Sequence, residues 1–374
     1  MPAEWSDIRD DFPAMRRGVF LNAAGSSPTP RPVREAVTAF YREVEEGREG
    51  WARWAERQED ARRRVAGLIG ADADEIAFVP NTSTGINLVA ELIGNDGPVL
   101  TDEIEFPALT LPWIHRGIAV HFAPVVEGVV RIESFDEAHA PRAATIVVSH
   151  VQFSNGCRQD LVAFGALKGQ RHLVVGGSQS VGVFPVNVHA AQIDALACSG
   201  HKWLCAGYGA GFVYVSKALL ATRKPETIGW LSVAHPLSFD NQRYELLGTA
   251  RRMELGTPAF AGAFAAGAAA RYLHGIGIER IAQRVLELNT YLTARLAREH
   301  FEILSPGGPH RSGQALCVVP QPERAAAFLR ENGIFITQKP EGVRISTHFY
   351  NSEDEIDACV RGLVEYRRVL ASES

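Results

Sequence analysis

The sequence predicts an α/β protein, a mostly parallel sheet wrapped by helices, followed by a smaller C-terminal α+β domain. Three observations carry this. Short apolar runs alternate with helical patterns through the first two thirds of the chain. Several of these runs are apolar throughout rather than alternating, as strands covered on both faces should be. After about residue 255 the alternation gives way to long helical patterns and a few short strands.

Taken in order, IAFVP (76–80) is a strand that leads into a helix beginning near Thr84. PVLTDEIEF and AVHFAPV follow, then TIVVSHVQF (145–153), HLVVGGSQ (172–179), DALACSG (194–200) and GAGFVYVS (209–216). Strand–helix alternation of this kind predicts a parallel sheet. An Ala-rich helix (AFAAGAAARYL) and a long amphipathic one (IERIAQRVLELNTYLTARLAREH) come next. The strands QALCVVP and VRISTHF then alternate with two more helices. The dense charge run over 41–70 mixes both signs and reads as a solvated helical face.

Composition narrows the function. The chain has 374 residues, 46% hydrophobic and 22% charged, as in an ordinary globular protein long enough for two domains. Its net charge of -5 argues against nucleic acid or an anionic membrane as the main partner. No apolar run approaches the roughly 18 residues of a membrane span. The start, MPAEWSDIRD, lacks the basic-then-apolar layout of a signal peptide. The five cysteines are odd in number and unpaired in spacing, which predicts buried, reduced thiols, no metal site and a cytoplasmic protein.

Chemistry concentrates in LACSGHKWLCAGYGAG (196–211), where Lys202 stands in a small, apolar run. Lysine is rarely buried without a partner. A neutral amine there can form a Schiff base with an aldehyde cofactor, whereas the bland alternative is a lysine snorkelling from a strand edge. NTSTGIN (81–87) opens a helix after a strand, so its backbone N–H groups and the Thr82, Ser83 and Thr84 hydroxyls suit a phosphate or a plain N-cap. It lacks the Gly-Lys-Ser/Thr ending of a nucleotide P-loop. SNGCRQD (154–160) and GGSQSVG (176–182) sit just past strands, where ligands of parallel sheets collect. Asn155 and Gln179 in such places suit a ring hydroxyl, and turn formation explains them equally well.

In this order the segments resemble the class V aminotransferase family, fold-type I pyridoxal phosphate (PLP) enzymes that include cysteine desulfurases, selenocysteine lyases and isopenicillin epimerase-like proteins. The resemblance runs from LNAAGSSPTP (21–30) to VRISTHFYNSEDEID (343–357). It implies a large PLP-binding domain over 20–255 with a seven-stranded type of sheet, and a small domain from 1–19 and 256–374. It implies that Lys202 is the Schiff-base lysine and that Ser83, Thr84, Ser178, Ser199 and His201 lie at the cofactor, mostly about its phosphate. Phe106 takes the place of a ring-stacking residue, while Asn155 and Gln179 would contact the ring hydroxyl. Thr257 would reach a phosphate in the neighbouring subunit of a homodimer with shared sites. Arg344 would hold the substrate carboxylate, for which a guanidinium fork is the natural match. On its own, Arg344 also reads as a surface ion pair.

Two departures from the family pattern stand out. The stretch 332–344 holds no cysteine to receive sulfur. Gly176 stands where the family has the aspartate that partners the pyridine nitrogen, and nothing nearby in sequence supplies a compensating charge. The resemblance therefore implies an enzyme acting on an amino acid through an external aldimine, lyase or desulfurase-like or aminotransferase-type. The alternative is a catalytically silent homologue that keeps the fold and the cofactor.

Overall fold

The computed structural model describes residues 4–48, 50–136, 140 and 142–373. A seven-stranded sheet runs through its centre: β1 (Ile76–Val79), β2 (Val99–Asp102), β3 (Val120–Ala123), β4 (Thr145–Ser149), β5 (His172–Gly176), β6 (Ala195–Cys198) and β7 (Gly211–Val215). Their spatial order is β1-β7-β6-β5-β4-β2-β3. Strands β3, β2, β4, β5 and β6 pair in parallel, and β7 lies antiparallel between β6 and β1. The mostly parallel sheet expected from the apolar runs is what forms.

The strands are apolar throughout because both faces are covered. Val147, Val174, Ala197 and Val213 pack on one face with Ile86, Val89, Leu109 and Trp113 of helices α1 (Thr82–Ile93) and α2 (Pro107–His115). Their neighbours Val148, Val175, Leu196 and Phe212 pack on the other with Val65, Ala266 and Leu273. Glycine is required where α1 crosses the sheet, since a Cβ at Gly85 would stand 2.9 Å from Cβ of Ala197.

A second core gathers Leu288, Leu292, Leu329, Ile345 and Leu363 around a three-stranded antiparallel sheet. Its strands are β8 (Gln314–Val318), β9 (Thr337–Lys339) and β10 (Gly342–Ser346), with β10 in the middle. The N-terminal segment joins this part, Val19–Phe20 pairing in parallel with Ile334–Phe335. The Ala-rich helix Phe260–Ile276 instead packs against the large sheet's core.

Register sets the place of the site. Ser149 lies opposite Gly176, Gly176 opposite Ala197, and Cys198 opposite Phe212. The carboxyl ends of β1, β2, β4, β5 and β6 therefore open on one edge, where parallel sheets hold ligands. Among the described residues no helix is long and apolar enough to cross a membrane.

Candidate active site

The turn after β6 delivers Lys202. Its tightness depends on Gly200, whose Cβ would lie 2.3 Å from the carbonyl oxygen of Ala210. The Lys202 amine faces the ring of Phe106, 5.5 Å from its centroid. Burial, reinforced by the charge of Arg344, lowers its pKa to about 8. Both causes disfavour the ammonium form, so a neutral, nucleophilic amine is within reach near neutral pH. His201 stacks on Tyr208 with centroids 4.8 Å apart, and the Tyr208 hydroxyl donates to Ser26 Oγ at 3.1 Å.

Next to this turn, hydroxyls from three segment ends meet. Thr82 donates its backbone N–H to Ser199 Oγ at 2.9 Å, and the two hydroxyl oxygens lie 2.8 Å apart. Thr82 Oγ1 also contacts Ser178 Oγ, which in turn accepts the N–H of Ser199 at 3.1 Å. Asn81 caps α1 by accepting from the N–H of Thr84 at 2.9 Å and also takes the Thr84 hydroxyl. Ser83 is exposed and shares a concavity of about 440 Å³ with Phe106. Thr84 opens the other way, into a groove of about 330 Å³ that it shares with exposed Thr257. The hydroxyl set thus splits: Thr82, Ser178 and Ser199 form one cluster, Ser83 flanks it, and Thr84 faces Thr257.

The end of the site at Gly176 is unlike this. A Cβ on Gly176 would meet Leu109 Cδ2 at 2.6 Å and Ser149 Oγ at 2.9 Å, so the space before this glycine is filled. Ser149 leads to charge. Its hydroxyl donates to Glu105 Oε1 at 2.7 Å and its N–H to Oε2 at 2.6 Å. Phe106 N–H and Gln152 Nε2 donate to the same carboxylate at 2.6 and 3.3 Å. Asp102 sits beside it and accepts from Gln152 Nε2 at 2.8 Å. Burial pushes both carboxyls up, and the charge of Glu105 pushes Asp102 further. The four donors aimed at Glu105 oppose its rise, while the charge of Glu105 adds to the rise at Asp102. Sequence reasoning missed Glu105, because it reaches Gly176 through Ser149 from another strand end.

Two of the expected cofactor contacts, Asn155 and Gln179, are engaged in hydrogen bonds within the chain. Asn155 donates from Nδ2 to the Gly128 carbonyl at 2.7 Å and accepts at Oδ1 from Cys157 N–H at 3.0 Å. Gln179 is likewise engaged, donating to the Ala24 carbonyl at 2.9 Å and accepting from Trp203 Nε1 at 2.7 Å. Both amides are buried, and buried amides bind whatever backbone surrounds them. The side chain facing the Lys202 side of the site is Phe153, whose ring meets Phe106 edge-on at 4.8 Å.

Arg344 comes from β10 and is 3% exposed. Its Nη1 donates to the Phe153 carbonyl, its Nε is buried without a partner, and among the described residues no carboxylate pairs with it. The surface ion-pair reading is thereby excluded. Burial lowers the guanidinium to about 10. Lys339, which sequence reasoning passed over, lies 4.2 Å above the Phe153 ring. All five cysteines are buried, and burial raises Cys198, Cys205, Cys317 and Cys359 to about 12.

The site thus brings together an amine of lowered pKa, a hydroxyl cluster at a helix N-terminus and a buried guanidinium from the second sheet. The apo cysteine desulfurase from Thermococcus onnurineus superposes with a TM-score of 0.90 at 26% identity, over 98% of this chain and 99% of that one. Residues 19–359 match the family model Aminotransferase class-V, and the chain belongs to that family of PLP-dependent enzymes, transferases and lyases. It is 30% identical to a probable cysteine desulfurase of Methanothermobacter thermautotrophicus, over 94% of this chain and 95% of that protein. It is 28% identical to the uncharacterized aminotransferase YcbU of Bacillus subtilis, over 93% and 94%.

The residues present fit the cofactor at two of its ends. Lys202 suits the aldehyde, and the hydroxyl cluster at the start of α1 suits a phosphate. Beside Gly176 lies the Ser149 hydroxyl, which donates to Glu105.

Proposed function

We propose that this protein binds pyridoxal phosphate at Lys202 and acts on a free amino acid by lyase or aminotransferase chemistry. The observation that carries this reading is the convergence of Lys202 with Arg344, a buried guanidinium without a carboxylate. Burying an unpaired charge is costly, so such a group is best explained by an anion that arrives with the substrate.

When bound, the cofactor supplies an electron sink for charge at the substrate α-carbon. The chain's own residues do the remaining work. Ser83, Thr82, Ser178 and Ser199, with the N–H groups opening α1, hold the phosphate. Thr84 and Thr257 line a groove at the surface, which supports the homodimer reading in which Thr257 serves the neighbouring subunit. Phe106 covers the ring face and His201, fixed by Tyr208, borders the phosphate. Arg344 clamps the substrate carboxylate in its two-pronged fork. Lys202 tethers the cofactor and then moves the proton at the α-carbon, a role for which an amine near neutrality is suited.

Buried thiols with raised pKa values disfavour a sulfur relay through cysteine, since the thiolate is the reactive form. Free, unpaired thiols also support a cytoplasmic location. A catalytically silent, cofactor-binding chain is the second reading, and Gly176 favours it. Incubation with PLP and a panel of amino acids separates the two, with the visible spectrum and assays for pyruvate, sulfide and keto acids as readouts. Product from any amino acid supports the enzyme; a cofactor band without product supports the silent homologue.

A further inference from the structure

The site holds more positive charge than one amino-acid carboxylate can use. Lys202, Lys339 and Arg344 are arranged about two touching rings. The Lys202 amine lies 5.5 Å from the Phe106 centroid, and Phe106 meets Phe153 at 4.8 Å. Lys339 Nζ lies 4.2 Å from the Phe153 centroid, while Arg344 holds the carbonyl of that same Phe153. Among the described residues, neither Lys339 nor Arg344 has a carboxylate within salt-bridge distance. Burial, then the charges of Arg344 and Lys202, lower Lys339 to about 8, while Glu341 opposes this weakly. A lysine lowered by burial and by two neighbouring cations, beside a buried guanidinium with no carboxylate at salt-bridge distance, is an arrangement that an anionic ligand relieves.

Two of the three are spoken for once Lys202 tethers the cofactor and Arg344 takes the α-carboxylate. Lys339 has no such task. It stands on the ring face of Phe153, and Arg344 grips the backbone of the same residue, so the two cations approach the cleft from different sides of one side chain. An ammonium carries three N–H donors, so one resting on an aromatic face still leaves others for a ligand oxygen.

We propose that Lys339 is a specificity residue that binds the side-chain carboxylate of a dicarboxylic amino acid substrate. This rests on the proposed function above and names the substrate class for it. The aromatic pair then serves as the wall between the two carboxylates. An uncharged amide of the same shape leaves Lys339 without a counter-ion and is bound less well.

The test is a spectral titration of cofactor-loaded protein with aspartate and asparagine, and with glutamate and glutamine. The wild type should bind one acid at least tenfold more tightly than its amide. Lys339→Gln should remove that preference while changing the affinity for the amide by less than about threefold, and Lys339→Arg should retain it. A second readout needs no cofactor: succinate should raise the melting temperature of the apo protein more than butyrate does, and Lys339→Gln should erase the difference. Equal binding of acid and amide by the wild type overturns the proposal. So does a Lys339→Gln variant that weakens every amino acid equally, because Lys339 would then act on the shared α-carboxylate. Failure of the underlying reading looks different, as no cofactor absorption band would form at all.

Discussion

The two ends of the candidate site are built from opposite materials. Around Lys202 and the start of α1 there are hydroxyls, open N–H groups and a glycine that tightens a turn. At the end of β5, Leu109 fills the space before Gly176, and the Glu105 carboxyl lies behind Ser149. The first end keeps the groups that hold a phosphate and an aldehyde. The second presents no carboxylate at the strand end, only the Ser149 hydroxyl donating to the buried Glu105 carboxylate. We propose that one end holds the cofactor and the other tunes its ring, so that the two tasks can be tested separately.

The largest effect should come from the holding end. Lys202→Ala removes the tether and the proton-transfer group together, and turnover should fall by at least about a thousandfold. Residual turnover within tenfold of wild type would break the distinction between the two ends. Arg344→Ala should leave the cofactor spectrum nearly unchanged and weaken amino-acid binding by about 2–5 kcal/mol, as expected for truncating a desolvated carboxylate partner. Titration of the cofactor band measures it, and unaltered affinity would take Arg344 out of the site.

The tuning end is sharpened by a paired substitution. Gly176→Asp alone should destabilise the fold by about 1–3 kcal/mol, because its Cβ would meet Leu109 at 2.6 Å. Adding Leu109→Ala should recover most of that loss and restore room for the carboxylate. If the single variant melts at the wild-type temperature, the Leu109 plug is not what closes this position.

The smallest effect is electrostatic. The Lys202 amine is depressed to about 8 in the fold, against 10.5 for a free lysine. Below pH 8 it is charged in both states and the folded protein bears the full cost of burying it. As pH rises from 8 to 10.5 the folded state sheds its proton first, so stability rises through this window. Cofactor-free wild type should therefore gain stability relative to Lys202→Met across that range in denaturant titrations. A difference that stays flat would mean the amine is not depressed.

These contrasts also mark what the sequence could reveal. The strands over 145–149 and 172–176 were legible because burial on both faces makes a short continuous apolar run. Lys202 stood out as a lysine in a small, apolar turn, but only its burial and lowered pKa, which no local pattern shows, separate it from a snorkelling side chain. Asn155 and Gln179 were readable only as alternatives, because an amide after a strand looks the same whether it faces a ligand or closes a turn. Glu105 and Lys339 were hidden for a different reason. Their meaning comes from contacts with Ser149 and Phe153, 44 residues away for Glu105, and between the second sheet and the loop after the Thr145–Ser149 strand of the large sheet for Lys339. No local pattern encodes such pairings.

The account stands on Lys202 as the residue that holds the cofactor. Borohydride reduction of the PLP-loaded protein, followed by peptide mapping, tests it directly. The cofactor should be fixed to the peptide containing Lys202 and to no other in stoichiometric yield. Label on the peptide containing Lys339, or no label at all, would contradict it.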